Sequence, residues 1–172
     1  MSDVAPIAPP PGWTAERSGG TLSFQSEDTV FWTFTALPGG PPPGDAVGSA
    51  FSALREEYGD VDESPAEGPP LVPGEVARDA GFFALDDTGA ARARGFRVGG
   101  VTYLIYYQGA DRDVEARREE LEQLGRRAWL GIAAAASAPD PTGPAAAGGP
   151  GGAGSGGGEF TGPEGFPTGV PR

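Results

Sequence analysis

Alternating apolar and polar positions predict a β-hairpin in the first quarter of the chain. The segments 21–25 and 29–37 are rich in β-branched and aromatic residues, and the polar stretch 26–28 separates them. Such runs, bounded by turn residues, are typical of paired strands. Because side chains alternate between the two faces of a strand, every second residue of the longer run should point into the core. These residues are Val30, Trp32, Phe34 and Ala36.

A helical pattern follows the Pro- and Gly-rich segment 38–44. Asp45 is a suitable N-cap for a helix that we expect to end near Tyr58. The apolar residues of this helix recur on one side, which predicts that it lies on a sheet. The next segment, 59–74, is acidic and Pro-rich and predicts a long loop with room for a short edge strand. The apolar side of the helix consists of Val47, Ala50, Phe51, Leu54 and Tyr58.

Three further strands are predicted at residues 75–85, 90–98 and 101–108. Residues 86–89 form the turn between the first two, and the pair Gly99-Gly100 is a good two-residue hairpin loop between the last two. The last strand is apolar or aromatic on both of its faces. We therefore expect it to lie in the centre of the sheet.

A second helix should begin at Asp111 and end near Ile132, with acidic residues in its first turn and Arg126 and Arg127 near its end. Trp13 is the first residue along the chain that could anchor in the core. Together the elements predict an α+β domain, in which two helices pack on an antiparallel sheet of about five to seven strands. The apolar side of the second helix consists of Val114, Leu121, Leu124, Gly125, Ala128, Trp129 and Ile132.

The composition changes near Ile132 and divides the chain into four parts. We expect a Pro-rich arm (1–11), a binding domain (12–132), an Ala/Gly/Pro-rich linker (133–158) and a short docking peptide (159–172). The linker contains no aromatic and no large aliphatic residue. Burial of apolar surface could not offset the entropy of ordering such a chain, so we predict a disordered C-terminal tail.

Charge and composition narrow the function. The 172 residues have a formal net charge of −12, and all twelve basic residues are Arg. An acidic chain repels phosphate backbones and anionic lipids, so we expect neither nucleic acid nor a membrane as its main partner. The chain has no His and no Cys. Thiol chemistry and imidazole-based catalysis are thereby excluded, and a catalytic role would have to rest on Asp, Glu, Arg, Tyr or Ser, or on a cation bound by carboxylates. We expect no cofactor.

The location of the protein is predicted from weaker signals. Lys and Asn are absent while Ala, Gly, Pro and Arg are abundant, which is typical of a GC-rich bacterial genome. Residues 1–7 show neither the basic start nor the apolar run of a secretory signal. No segment approaches 18 consecutive apolar residues. We therefore expect a cytoplasmic bacterial protein, and the sequence leaves its oligomeric state open.

The order of elements resembles the PsbP-like and DcrB-like family of α/β/α sandwiches over about residues 12–131. Members of that family include a photosystem accessory subunit, a nuclear-import binding factor, periplasmic lipoproteins and secretion-effector chaperones. The resemblance implies a non-enzymatic binding domain, with an effector chaperone as the alternative. Residues 1–7 do not read as the export signal of the lipoprotein and thylakoid members, so we expect a different location for this chain. The resembling residues are Gly12-Trp13, 82–85, 96–98, and 102–109 running into the helix after Asp111.

Arg92 and Arg94 form the first candidate site for a partner. They are two residues apart, so a strand would place both on the face that also carries Phe96, with Arg97 pointing the other way. Two guanidinium groups side by side could bind a carboxylate or phosphate of a partner. The alternative is that they pair with acidic residues of neighbouring strands, because residues 1–132 contain 21 acids against 11 Arg.

Two further groups could form a site. Asp86, Asp87, Asp111 and Asp113 lie at the ends of adjacent predicted strands, where they could bind a cation and support a hydrolase. Ordinary turn and cap chemistry explains the same residues. Tyr103, Tyr106, Tyr107 and Trp32 could line a pocket, or they could simply belong to the core.

The C-terminal peptide gives the sharpest functional hypothesis. Phe160 and Phe166 are the only aromatic residues after Trp129, and Pro163 and Pro167 lie close to them in the sequence. Isolated aromatic anchors at the end of a tether are typical of short docking motifs. The arrangement resembles the cargo-loading peptides of encapsulin shells. We predict a binding or adaptor protein whose tail docks on a protein partner; the alternative for the tail is an unselected low-complexity end.

Overall fold

The computed structural model describes residues 7–138, in which seven strands form one antiparallel sheet with helices on both of its faces. This confirms the predicted α+β fold class. The spatial order of the strands is β1-β2-β3-β7-β6-β5-β4, which places β7 in the centre as predicted. The strands are β1 (Thr14–Ser18), β2 (Thr21–Gln25), β3 (Phe31–Pro38), β4 (Val61–Pro65), β5 (Val76–Ala84), β6 (Asp87–Val98) and β7 (Val101–Ala110). The helices are α1 (Pro43–Tyr58), α2 (Asp111–Ala116) and α3 (Arg118–Ser137).

The helix boundaries differ from the prediction in three places. Helix α1 is preceded by Pro42 at the N-cap position, so Asp45 lies in the first turn and does not cap the helix. The single helix predicted after Asp111 is two helices, because Arg117 leaves the helical conformation with φ −104° and ψ 11°. Helix α3 then continues to Ser137. The first five residues of the predicted linker are therefore helical.

The α3 face of the sheet holds the larger apolar core. Alternate residues of β3 point into it as predicted, and Trp32 stacks on Phe24 of β2 with ring centroids 5.3 Å apart. Trp13 is 7% exposed and confirms the predicted anchor. Helix α3 closes this face with its buried side, together with Val114 of α2. The buried residues of α3 are Leu121, Leu124, Gly125, Ala128 and Ile132.

The α1 face is covered over only part of the sheet. Helix α1 packs across β5, β6 and β7 and buries Val47, Phe51 and Leu54 in one cluster with three alanines and Phe82 of the strands. Strands β1, β2 and β3 carry polar residues on the same face, where the hydroxyl oxygens of Thr21 and Thr35 are 3.0 Å apart. One sheet thus has a fully packed face and a half-covered face, as antiparallel sheets allow.

Candidate functional site

Arg92 and Arg94 lie side by side on β6, on the α3 face with Phe96, as the strand spacing predicts. Their exposed fractions are only 6% and 5%. Charged residues are rarely buried to this extent unless they are paired. The structure therefore raises the question of which groups neutralise the two guanidinium groups.

Arg92 is bound by residues of three different elements. Its Nε and Nη2 atoms donate to the two carboxylate oxygens of Asp79 on β5, at 2.5 and 2.8 Å. Its Nη1 donates to Glu122 Oε1 on α3 at 3.2 Å, and Nη2 also donates to the carbonyl oxygen of Glu67 at 3.3 Å. The bidentate hydrogen bond with Asp79 raises the pKa of Arg92 above its usual value, although burial alone would lower it.

Arg94 is also paired with acidic residues, one in the loop before β5 and one on α3. Its Nη1 donates to Glu75 Oε1 at 2.6 Å, and its Nη2 donates to Glu122 Oε1 at 3.2 Å. The Glu75 carboxylate is 2% exposed and also accepts the backbone N–H groups of Leu71 and Val72, at 3.0 and 3.3 Å. Glu75 therefore connects the sheet to the loop, and Glu122 connects both arginines to α3.

These five charged residues form what we call the buried ion cluster: Asp79, Arg92, Arg94, Glu75 and Glu122. The alternative of pairing with acids of neighbouring strands holds for Asp79 on β5, whereas Glu75 lies in the loop before β5 and Glu122 lies on α3. The position of the cluster explains its physical role, because it fixes α3 and the loop 66–75 over the sheet. The sequence could not select these acids, since two of the three lie outside the strands next to β6.

The four aspartates proposed as a cation site are not gathered around one position. Arg112 lies between two of them, with its Nη1 3.6 Å from Asp87 Oδ2 and its Nε 3.5 Å from Asp113 Oδ1. Asp113 also accepts the hydroxyl of Thr29 at 2.7 Å. Within residues 7–138, no three acidic side chains are placed so that they could hold a metal ion. Ion pairing and turn chemistry account for Asp87 and Asp113.

The aromatic residues proposed to line one pocket lie on opposite faces of the sheet. Tyr103 packs on the α3 face, where its ring stacks on Phe34 and Phe96 with centroids 5.7 and 5.6 Å apart. Tyr106 is on the α1 face, where its hydroxyl donates to Gln108 Oε1 at 2.6 Å. Tyr107 and Trp32 are cross-strand neighbours on the α3 face. The four residues therefore do not line one shared pocket, and the alternative that they belong to the core holds for Trp32, Tyr103 and Tyr107.

A shallow groove follows α1 on its open side, beside β3 and β7. Its volume is about 220 Å³, and its lining mixes apolar and polar groups. An effector chaperone would require an apolar groove beside the sheet, and this lining does not single out that role. The residues that line the groove are Thr33, Ala50, Ala53, Leu54, Glu57, Leu104, Tyr106 and Gln108.

The turn between β5 and β6 carries an exposed apolar feature that the sequence pattern does not predict. The turn consists of Leu85 and Asp86 alone, because Ala84 and Asp87 already pair across the two strands. Leu85 is 103% exposed and Phe83 is 70% exposed. We call residues 83–86 the hairpin tip. The signal for this tip in the sequence is a leucine at a turn position. The predicted strand 75–85 includes this residue, Leu85, whereas the structure places it in the turn.

The docking residues predicted in the tail, Phe160, Pro163, Phe166 and Pro167, lie outside the described residues. They remain predictions, as does the rest of the tail after residue 138. Among the helices in residues 7–138, none is both long enough and apolar enough to cross a bilayer.

Comparisons with known proteins add little to this site. No protein-family model matches the chain, and no curated protein matches it. The chain is similar to a solved structure of a mutant of protein Mog1, at 12% identity and a TM-score of 0.44, over 72% of this chain and 83% of that one. It is also similar to the Saccharomyces cerevisiae Ran-binding protein Mog1p, at 9% identity and a TM-score of 0.41, over 73% and 85%. No functional conclusion follows at these values.

Proposed function

We propose that the chain is a non-enzymatic adaptor, in which a rigid domain and a C-terminal docking peptide bind protein partners. The peptide comprises residues 159–172, with Phe160 and Phe166 as its anchors. Residues 138–158 act as the tether, so the tether begins later than position 133.

The way in which α3 is held to the domain carries this proposal. Five residues of the helix are buried against the sheet, and Glu122 ties it to both buried arginines. The tether therefore starts from a fixed point at Ser137. Its 21 residues, which are rich in Gly, span roughly 23–28 Å on average. That reach is enough to hold a docked peptide clear of the domain.

The buried ion cluster supports the same proposal in a second way. Its arginines donate to acids on β5, on α3 and in the loop 66–75, so they hold the shape of the domain surface. We assign Arg92 and Arg94 to positioning that surface for a partner. A partner carboxylate could reach them only by displacing Glu122 or the loop.

Tethering determines the size of the effect to be measured. When a partner engages both the domain and the peptide, the second contact forms at an effective concentration in the millimolar range. Avidity gains of this kind reach about 10²- to 10⁴-fold without any new contact. Loss of the peptide should therefore weaken capture of a two-site partner by a factor in this range.

A comparison of tail variants tests the proposal. The full chain, a chain lacking residues 159–172, and the double variant Phe160→Ala/Phe166→Ala are used to capture partners from native lysate. Thr161→Ala/Thr168→Ala serves as the matched control, because it changes two tail residues and keeps both phenylalanines. We expect partners to be lost with the first two variants and retained with the control. An unchanged partner list would refute the docking role, whereas a self-assembling shell protein among the lost partners would specify a cargo-loading peptide.

A further inference from the structure

The hairpin tip has an unusual backbone conformation. Leu85 has φ +56°, and it is the only residue other than glycine with a positive φ among residues 7–138. Two-residue hairpin loops require a positive φ at their first position, where Gly or Asn is favoured. A leucine in this conformation costs roughly 1–2 kcal/mol relative to the right-handed region. The fold itself therefore favours a different residue at this position.

Solvent exposure adds a second cost at the same place. Leu85 is 103% exposed and Phe83 is 70% exposed, so both present their apolar surface to water. Single exposed apolar residues are common on protein surfaces and need no explanation. Here two large ones lie two residues apart, and one of them also occupies a strained turn. The strain and the exposure together point to contact with another molecule.

The tip is presented on a rigid base. Phe82 is 5% exposed and stacks on Tyr58 of α1, with ring centroids 4.4 Å apart. On the neighbouring strand, Gly89 leaves room for the Phe82 ring, because a Cβ atom at this position would lie 2.3 Å from it. Because the hairpin tip is already held in place before binding, it loses little conformational entropy when it binds a partner.

The charges around the tip indicate the chemistry of the partner. Asp86 and Asp87 follow Leu85 directly, and the ion-pair partner of Asp87 is Arg112, whose side chain is 73% exposed. Residues 1–132 hold 21 acids and 11 Arg, a net charge of −10. Like charges would oppose a second copy of this chain and an anionic membrane surface, whereas a basic protein surface would be attracted.

We propose that the hairpin tip inserts Leu85 and Phe83 into an apolar cleft of a partner protein, and that Arg or Lys side chains flank this cleft. The inference rests on the proposed binding role of the domain. It adds a contact site on the folded part that is separate from the tail peptide.

Site-specific cross-linking in the full chain tests this site. Phe83 is replaced by the photoreactive residue p-benzoylphenylalanine, which keeps an aromatic ring at the tip, and the chain is irradiated in its native host. We expect one discrete protein adduct, with the cross-link mapped by mass spectrometry to an apolar cleft flanked by Arg or Lys. The adduct yield should fall about tenfold when Leu85→Gly is added, since hot-spot contacts of this size dominate docking. It should also fall in 0.5 M salt.

Two controls keep the result interpretable. The same photoreactive residue at Leu130, which is 64% exposed on α3, should not give this adduct. Leu85→Gly should leave the thermal transition unchanged or raise it, since glycine relieves the turn. A fall in the transition temperature would show strain elsewhere and would contradict the argument from Leu85.

The possible outcomes separate this inference from the proposed tail function. If the adduct forms equally with Leu85→Gly, or if irradiation gives an adduct with lipid, with a second copy, or none, the inference is wrong. An adduct that persists in a chain lacking residues 159–172 supports the tip even if the tail variants change no partner. Loss of partners on tail deletion without a tip adduct would support the tail and reject the tip.

Discussion

The two faces of the sheet are packed by different means. On the α3 face, large aromatic residues such as Trp32 and Phe96 fill the core, and buried arginines tie the covering elements to the sheet. On the α1 face, β6 presents Ala91, Ala93 and Gly95, and the helix approaches closely. The same strand therefore supplies bulk and charge to the α3 face, and at residues 91, 93 and 95 it supplies almost no side-chain volume to the α1 face.

This difference shows how one strand can fix two layers. Strand alternation sends Arg92, Arg94 and Phe96 to one face, and sends the small residues to the other. The α3 face depends on electrostatic pairs whose members come from distant parts of the chain. On the α1 face, the close approach of the helix depends on the small residues Ala91, Ala93 and Gly95 of β6. The two faces should therefore fail in different ways when they are mutated.

The largest effect is expected from breaking the buried ion cluster. Glu75→Met would leave the Arg94 guanidinium, 7% exposed, without its closest acid, and would remove the acceptor of the Leu71 and Val72 amides. Removing one partner of a buried pair costs about 3–5 kcal/mol. Urea denaturation should show a fall of this size in the free energy of unfolding.

A double variant shows whether the loss comes from the unpaired charge. Glu75→Met/Arg94→Met removes both charges, so it should be more stable than the single variant, with a coupling energy of about 2–3 kcal/mol. The exposed pair of Arg118 and Glu115 supplies the control, and Glu115→Gln should change stability by less than about 1 kcal/mol. A loss below about 1 kcal/mol for Glu75→Met would contradict the structural role of the cluster.

The elements that could be predicted from the sequence are those with a clear hydrophobic period. The buried residues of β3, the apolar side of α1 and the Gly99-Gly100 hairpin follow from patterns within short segments. Strand β1 has no such pattern, because all five of its residues are exposed. It was therefore not predicted from its residues.

Other features could not be predicted because they depend on tertiary neighbours. The acids that neutralise Arg92 and Arg94 are distributed over β5, a loop and α3, and the sequence offers 21 acids for these positions. The break between α2 and α3 occurs at Arg117, which has no helix-breaking chemistry. The turn at Leu85 contradicts the local preference for Gly, so local rules placed it in a strand.

A substitution on the α1 face should have the next largest effect. At Gly95, a Cβ atom would lie 2.6 Å from the carbonyl oxygen of Pro43 in the first turn of α1. Because the clash is with backbone, Gly95→Val should force α1 away from the sheet. We expect a loss of about 1–3 kcal/mol, as overpacking of a core typically causes.

A glycine on the neighbouring strand provides the matched control for this clash. Nothing lies within 4 Å of a Cβ atom built on Gly81 of β5. Gly81→Val should therefore be neutral or stabilising, since valine favours extended backbone. Equal losses for the two variants in thermal denaturation would show that close approach of α1 is not the reason for Gly95.

Alkaline pH should weaken both faces, and the α1 face more. Burial raises the pKa of all four tyrosines, and the rise is largest for Tyr106 on the α1 face. The folded protein therefore keeps its phenol protons at pH values where the unfolded chain loses them. Stability should be fully present below about pH 10 and should fall above it, by at most about 1.4 kcal/mol per pH unit for each tyrosine.

Phenylalanine variants separate the contributions of the two faces to this fall. Tyr106→Phe should flatten the decline in unfolding free energy between pH 10 and 11.5 more than Tyr103→Phe on the α3 face. The measurement is urea denaturation at a series of pH values. A steeper decline in Tyr106→Phe than in the unmodified chain would show that the neutral phenol is not what the fold favours at this position.

The smallest effect is expected at the centre of the α3 face. Trp32 is fully buried, and its Nε1–H has no hydrogen-bond partner among residues 7–138. An unsatisfied buried donor costs about 1–3 kcal/mol, so Trp32→Phe removes this cost while it leaves a small cavity. Because the two terms oppose each other, the free energy of unfolding should change by less than about 1 kcal/mol.

Trp13→Phe is the comparison variant, because it removes an indole that is also buried, at 7% exposure, but whose N–H is hydrogen-bonded. The Nε1 of Trp13 donates to Glu120 Oε2 at 3.1 Å, and Arg117 lies 5.3 Å from the centre of its ring. This variant loses a charge-assisted hydrogen bond and weakens a cation–π contact, so it should cost about 1.5–3 kcal/mol. Were Trp32→Phe the more costly of the two, the Trp32 N–H would have to be bonded in solution, for instance to a buried water. The α3 face would then rely on a hydrogen bond at its aromatic centre as well as on the ion cluster at its edge.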